Sequence, residues 1–171
     1  MTQLEDAAKL CMAYNLRKTS RAITQFYDKM LEPSGLAITQ FSLLVGLSIA
    51  QYPTITAMAN EMIIDRTTLT RNLDILQNHG LVKIKESSND NGKKNIVITS
   101  KGKKLLAKAL PLWEKAQNII IKKFGNDNYN DMLSELSKMI KLTEYARNCL
   151  YLIEWCVYTR TFINAPFHYN E

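Results

Sequence analysis

Histidine is scarce in this chain, with only His79 and His168 among 171 residues. No nucleophile–base pair, phosphate-cradling glycine loop or metal-ligand spacing accompanies them, so neither an enzyme nor a metal or other cofactor is expected. The three cysteines, Cys11, Cys149 and Cys156, are an odd number and make no disulfide scaffold, which points to a reducing cytoplasm. Cys149 and Cys156 stand seven apart, about 10 Å along a helix axis, too far to bond within one helix. Long apolar runs are missing too. The most apolar window, 150–163, is interrupted by Glu154 and Arg160 and falls short of the roughly 20 residues a bilayer needs, so no membrane span is expected. The first six residues carry acids instead of a basic start and an apolar core, so no secretory signal is expected. There are no internal repeats and no low-complexity linker.

What the chain does have is concentrated in 65–99. Leu69, Leu73 and Leu76 fall at i, i+4 and i+7 of a helical run, giving one apolar face. Thr67, Arg71 and Asn78 point the opposite way, with Thr68 and Thr70 flanking them. Hydroxyls serve phosphates or bases in either sense, and the arginine fork matches the O6/N7 edge of guanine. Asp74 shares this face, where a carboxylate repels phosphates unless it pairs with Arg71 or Asn78 or accepts from a cytosine amine. Asp65 suits the N-cap and Gly80 the residue just past the helix end. Val82-Lys83-Ile84-Lys85 then alternates apolar and basic, 87–92 are turn formers, and Ile96-Val97-Ile98 begins a return strand. Upstream, Ile55, Ala59 and Met62 share a face over 54–62, and 63–66 separate the two helices at helix-turn-helix spacing. Helix, turn, helix and hairpin in this order predict a winged helix-turn-helix.

Helices flank it. A first helix is expected over 4–31, ended by Pro33-Ser34-Gly35, and a second over 39–50, ended by Gln51-Tyr52-Pro53. Leu106, Leu110, Trp113, Ile120 and Phe124 mark a long helix over 100–124, which Pro111 should kink. After Gly125-Asn126-Asp127, residues Met132, Leu133, Leu136, Met139 and Ile140 mark a last amphipathic helix that continues past Tyr145. The fold class is therefore mostly α with a small β wing. A 46% hydrophobic content is enough for a real core, and the net charge of +6 favours a polyanionic partner. Lys83, Lys85, Lys93, Lys94, Lys101, Lys103, Lys104 and Lys108 gather in and after the wing.

Several of these segments resemble the MarR family of bacterial transcriptional regulators, over about 11–121. Asn15-Leu16-Arg17-Lys18, Ser20-Arg21-Ala22-Ile23-Thr24, Gly35-Leu36 and Ile38-Thr39-Gln40-Phe41-Ser42-Leu43-Leu44 resemble the family's first two helices. Asp65-Arg66-Thr67-Thr68-Leu69-Thr70-Arg71-Asn72-Leu73 resembles its recognition helix, Ile98-Thr99-Ser100-Lys101-Gly102 its wing exit, and Ala109-Leu110-Pro111-Leu112-Trp113 its long fifth helix. The resemblance implies a homodimer whose terminal helices pack together and set two recognition helices about one DNA turn apart. The division it implies is a dimerisation helix in 1–35, a DNA-binding lobe in 36–100, dimerisation helices in 101–145 and an extension in 146–171. It implies a cytoplasmic regulator, in the repressor sense, of a pseudo-palindromic duplex site, released by a small-molecule or redox signal. The alternative is a winged helix used as a protein-interaction module.

The DNA-binding candidates are Thr67, Thr68, Thr70, Arg71, Lys93 and Lys94. At the wing tip Asp90-Asn91-Gly92 replaces the family's Asp-x-Arg, so lysines stand in for the minor-groove arginine, without its planar fork. For a phenolic or other aromatic effector the candidates are Tyr14, Arg17, Arg21, Phe41 and Trp113; the other reading of the aromatics is ordinary core. Cys11 is the redox candidate, near the reactive cysteine of peroxide-sensing relatives. With Ser20-Arg21 matched to theirs, Ala13 takes that position, and buried, unreactive cysteines are the competing expectation.

Overall fold

The computed structural model describes residues 3–49, 54–86 and 94–158. Helices α1 (Gln3–Leu10) and α2 (Met12–Leu31) lead through a 3-10 turn, Glu32–Ser34, to α3 (Ile38–Ile49), α4 (Ile55–Glu61) and α5 (Arg66–Asn78). Strands β1 (Val82–Glu86) and β2 (Lys94–Ile98) pair antiparallel, Val82 opposite Ile98 and Glu86 opposite Lys94, and α6 (Ser100–Phe124) and α7 (Asn126–Tyr158) follow. The chain forms two compact units, Met1–Ile119 and Ile120–Glu171.

The first helix expected from the pattern is two helices. Cys11 leaves helical geometry at φ −63°, ψ 109°, and the Asn15 side-chain amide donates to the Lys9 carbonyl at 2.9 Å and the Cys11 carbonyl at 3.0 Å. An asparagine that binds backbone carbonyls four and six residues back competes with the regular ladder, and neither proline nor glycine marks this break. At Pro111 the opposite holds: α6 stays one helix through the proline.

The core of the first unit draws on every element from α2 to α6, and α1 adds no buried residue. Leu31, Leu36, Phe41, Leu43, Leu44, Met58, Leu69, Leu73, Leu76, Leu81, Val82, Ile96 and Ala109 form one buried cluster. Its largest sealed side chains include Leu44, Leu69, Leu73 and Leu76. Each such leucine contributes about 1.5–3 kcal/mol. The start of α3 is held from outside: the Asp28 carboxylate of α2 accepts from the Ile38 amide at 2.7 Å, while Gln40 reaches back to the Ala37 amide at 3.1 Å. These bonds satisfy donors that a helix start leaves free, and they fix α3 to α2.

Candidate nucleic-acid interface

Helix α5 is capped at both ends. The Asp65 carboxylate accepts from the Thr68 amide at 3.0 Å, and this bond, with lesser ones from Thr67 and the Thr68 hydroxyl, holds its pKa below the ordinary carboxylate value. At the other end Gly80 sits at φ +70°, its amide donating to the Gln77 carbonyl and the Leu81 amide to the Leu76 carbonyl. That is a Schellman motif with glycine at the left-handed position. The α4–α5 turn repeats it: the Ile63 amide donates to Asn60 and the Ile64 amide to Ala59, but the left-handed residue is Ile63, at φ +50°. With Leu69, Leu73 and Leu76 locked in the core, the opposite face of α5, carrying Thr67, Arg71, Asp74, Ile75 and Asn78, is exposed.

The threonines at the start of α5 also bond within the helix. Thr70 is half-buried and its hydroxyl donates to the Arg66 carbonyl at 2.8 Å. The Thr68 hydroxyl lies 3.5 Å from the Asp65 carboxylate, and Thr67 is hydrogen-bonded to that same group. The Thr68 and Thr70 hydroxyls thus contact groups of the helix's own first turn. Arg71 and Asp74 remain exposed, with no ion pair between them. Ile75 also lies on this exposed face, at a position that the periodicity puts outside the Leu69, Leu73 and Leu76 stripe.

The wing is tied to α5 and α6 by one short motif. The Thr99 hydroxyl donates to the Gly80 carbonyl at 2.7 Å and accepts from the Gly102 amide at 3.0 Å, while the Thr99 amide donates to the Leu81 carbonyl at 2.9 Å. Lys101 Nζ donates to the His79 carbonyl at 2.8 Å. These bonds join the end of α5, the wing exit and the start of α6. Lys83 is exposed on β1; Lys93 lies outside the described residues, as does the Lys94 side chain, and nothing is placed for either.

MosR, a transcriptional regulator of M. tuberculosis whose structure was solved in complex with DNA, is 34% identical to this chain. The match covers 80% of this chain and 98% of MosR with a TM-score of 0.73. A MarR-family regulator from Rhodococcus sp. RHA1 shares the fold at 21% identity and a TM-score of 0.65, over 81% of this chain and 96% of that one. The chain belongs to the MarR family of transcriptional regulators. The repressor CouR has the same fold at 24% identity and a TM-score of 0.71, over 82% of this chain and 99% of CouR. No family model matches the sequence, and no curated protein matches it at a significant level.

In this MarR-family chain the effector candidates do not come together. Phe41 is buried and stacks on the half-buried Trp113, ring centroids 6.0 Å apart and planes at 19°, so the pair packs as part of the core. Tyr14, Arg17 and Arg21 are exposed on α2. The α2 residue that meets α6 one turn beyond Trp113 is Tyr27, whose hydroxyl donates to Gln117 at 2.5 Å. Tyr14 lies thirteen residues earlier, about 20 Å along the helix. Cys11, one of the cysteines for which burial was the competing expectation, is an exposed free thiol at the α1–α2 break. Cys149 and Cys156 fall in α7, and their side chains lie outside the described residues. Among the described residues no His, Cys, Asp and Glu group is placed to hold a metal ion, and no single helix is long and apolar enough to cross a membrane.

Proposed function

We propose that the chain is a homodimeric, sequence-specific DNA-binding regulator that acts as a repressor, with α5 in the major groove and the wing beside the minor groove. The carrying observation is Arg71, exposed at the centre of a helix whose opposite face is sealed and whose ends are both capped. Such a helix presents a guanidinium to a base edge without first having to be ordered. The 34% identical MosR, solved with DNA, supports the same use of the fold. A second copy is supported by Met12, Leu16 and Ile23, exposed apolar residues within about 40° of one another on α2. A twofold dimer calls for a pseudo-palindromic site with half-sites about one turn apart. A signal that favours a wrongly spaced dimer releases the DNA. For that signal Cys11 is the redox candidate, and Tyr14, Arg17 and Arg21 stay as candidates for a small aromatic effector, facing solvent in one chain.

The test is a titration of the purified protein against duplex from its own upstream region at two salt concentrations, reduced, peroxide-treated and with salicylate. Sequence-selective binding that weakens steeply with salt is expected, because neutralised phosphates release counterions. A protein that binds no duplex while remaining a folded dimer would move the assignment to an interaction module.

A further inference from the structure

The exposed face of α5 holds an apolar group where a solvated surface would place a polar one. Ile75 is 43% exposed, whereas Leu69, Leu73 and Leu76 of the same helix are fully buried, so Ile75 is not a core residue that happens to lie near the edge. It stands one turn after Arg71, and Asp74 adjoins it on the same exposed surface. On this exposed face three groups of different chemistry stand together, Arg71, Asp74 and Ile75. These are a donor fork, an acceptor-only carboxylate and a branched alkyl group.

We propose that Ile75 reads the C5-methyl group of a thymine in the operator. In the major groove thymine alone presents a methyl, and an exposed alkyl side chain gains by covering it and losing water from both. Arg71 and Ile75 are about 6 Å apart along the helix axis, against about 3.4 Å per base pair, which puts the thymine one or two base pairs from the purine that Arg71 contacts. The inference rests on the DNA-binding reading and adds to it a residue that sets sequence preference through shape and hydrophobicity alone.

The experiment begins by selecting the preferred duplex for the wild-type protein from a randomised pool. Each thymine of that duplex is then replaced singly by uracil, which removes only the methyl, and affinity is read by fluorescence anisotropy. One thymine per half-site is expected to lose about fourfold on replacement, the value of one buried methyl. Ile75→Ala should bind thymine and uracil duplexes alike at that position, and Ile75→Val should keep part of the discrimination. Equal thymine-to-uracil losses in wild type and Ile75→Ala, or no sensitive thymine within two base pairs of the Arg71 contact, would overturn the proposal. Absence of any selectable duplex is the separate signature of a failed DNA-binding reading, and it removes the proposal with it. Ile75→Ala takes away an exposed side chain, and its circular dichroism and dimer mass should match the wild type, which keeps an affinity change attributable to the contact.

Discussion

The carbonyl oxygen of Leu81 lies 2.2 Å from where a Cβ on Gly102 would stand, and Ile98 Cγ1 lies 2.8 Å from the same point. Glycine is needed there for close approach, and it lets the first turn of α6 seat against the base of the wing. Gly102→Ala must push backbone away from backbone, which cannot be relieved by turning a side chain. A loss toward the upper end of the about 1–3 kcal/mol typical of overpacking is expected in urea denaturation. A variant as stable as the wild type would show that α6 shifts freely against the wing.

Gly80 and Ile63 occupy the same position of two Schellman motifs and should respond differently to substitution. A Cβ on Gly80 meets nothing nearer than Lys101 Cδ at 3.9 Å, so Gly80→Ala costs only backbone strain, about 1 kcal/mol after the entropy of the unfolded chain is counted. Ile63 already bears that strain at φ +50°. Ile63→Gly relieves about 1–2 kcal/mol of it but gives up the contacts of a half-exposed isoleucine and adds unfolded-state entropy, which together are of the same size. Thermal melts of the two variants should therefore show a clear loss for Gly80→Ala and little change for Ile63→Gly. A fall of more than about 2 kcal/mol for Ile63→Gly would mean that its packing, and not the capping geometry, holds the turn.

Asp65 links the reading helix to pH. Its folded pKa is lowered, first by the Thr68 amide, from an ordinary value near 3.8. A depressed folded pKa gives a contribution fully present above the unfolded value and lost as pH falls through the folded one. The difference in melting temperature between wild type and Asp65→Ala should stay constant from neutral pH down to about pH 4 and shrink below it. Asp65→Asn, which caps without ionising, should show no such acid dependence. A gap that closes near pH 6 would assign the effect to another group.

The reading head was legible because its signals are local. A stripe of three leucines, an N-cap aspartate, a glycine at the helix end and an alternating strand each act within a few residues, and Asp65, Gly80 and the Val82 strand all fall where those signals put them. What was not legible depends on which partner a polar group chooses. Asn15 has the composition of a helix-interior residue and yet stands at a break, because its amide binds the Lys9 and Cys11 carbonyls. Phe41 reads equally well as a pocket wall or as core, and only the stack on Trp113, 72 positions away, decides for core. The same holds for the effector candidates: faces of α2 and α6 can be read from periodicity, but which turns meet cannot.

Thr70 and Arg71 make the sharpest contrast for mutagenesis, since the Thr70 hydroxyl already donates to a backbone carbonyl and Arg71 is exposed. Thr70→Val removes a hydroxyl that donates to the Arg66 carbonyl, so it should leave the order of preferred duplexes unchanged, with at most a small change in stability. Arg71→Ala removes an exposed fork with no competing partner on its own helix and should cost about 1–3 kcal/mol at the preferred site, with a relaxed choice at the base it contacts. Lost phosphate contact alone would weaken all duplexes alike and lower the salt slope by about one. Affinity measured for both variants on the preferred and on a scrambled duplex, at two salt concentrations, separates these cases. If Thr70→Val scrambled the preference and Arg71→Ala did not, the hydroxyl must leave the Arg66 carbonyl on binding, and the first turn of α5 would have to rearrange on the DNA.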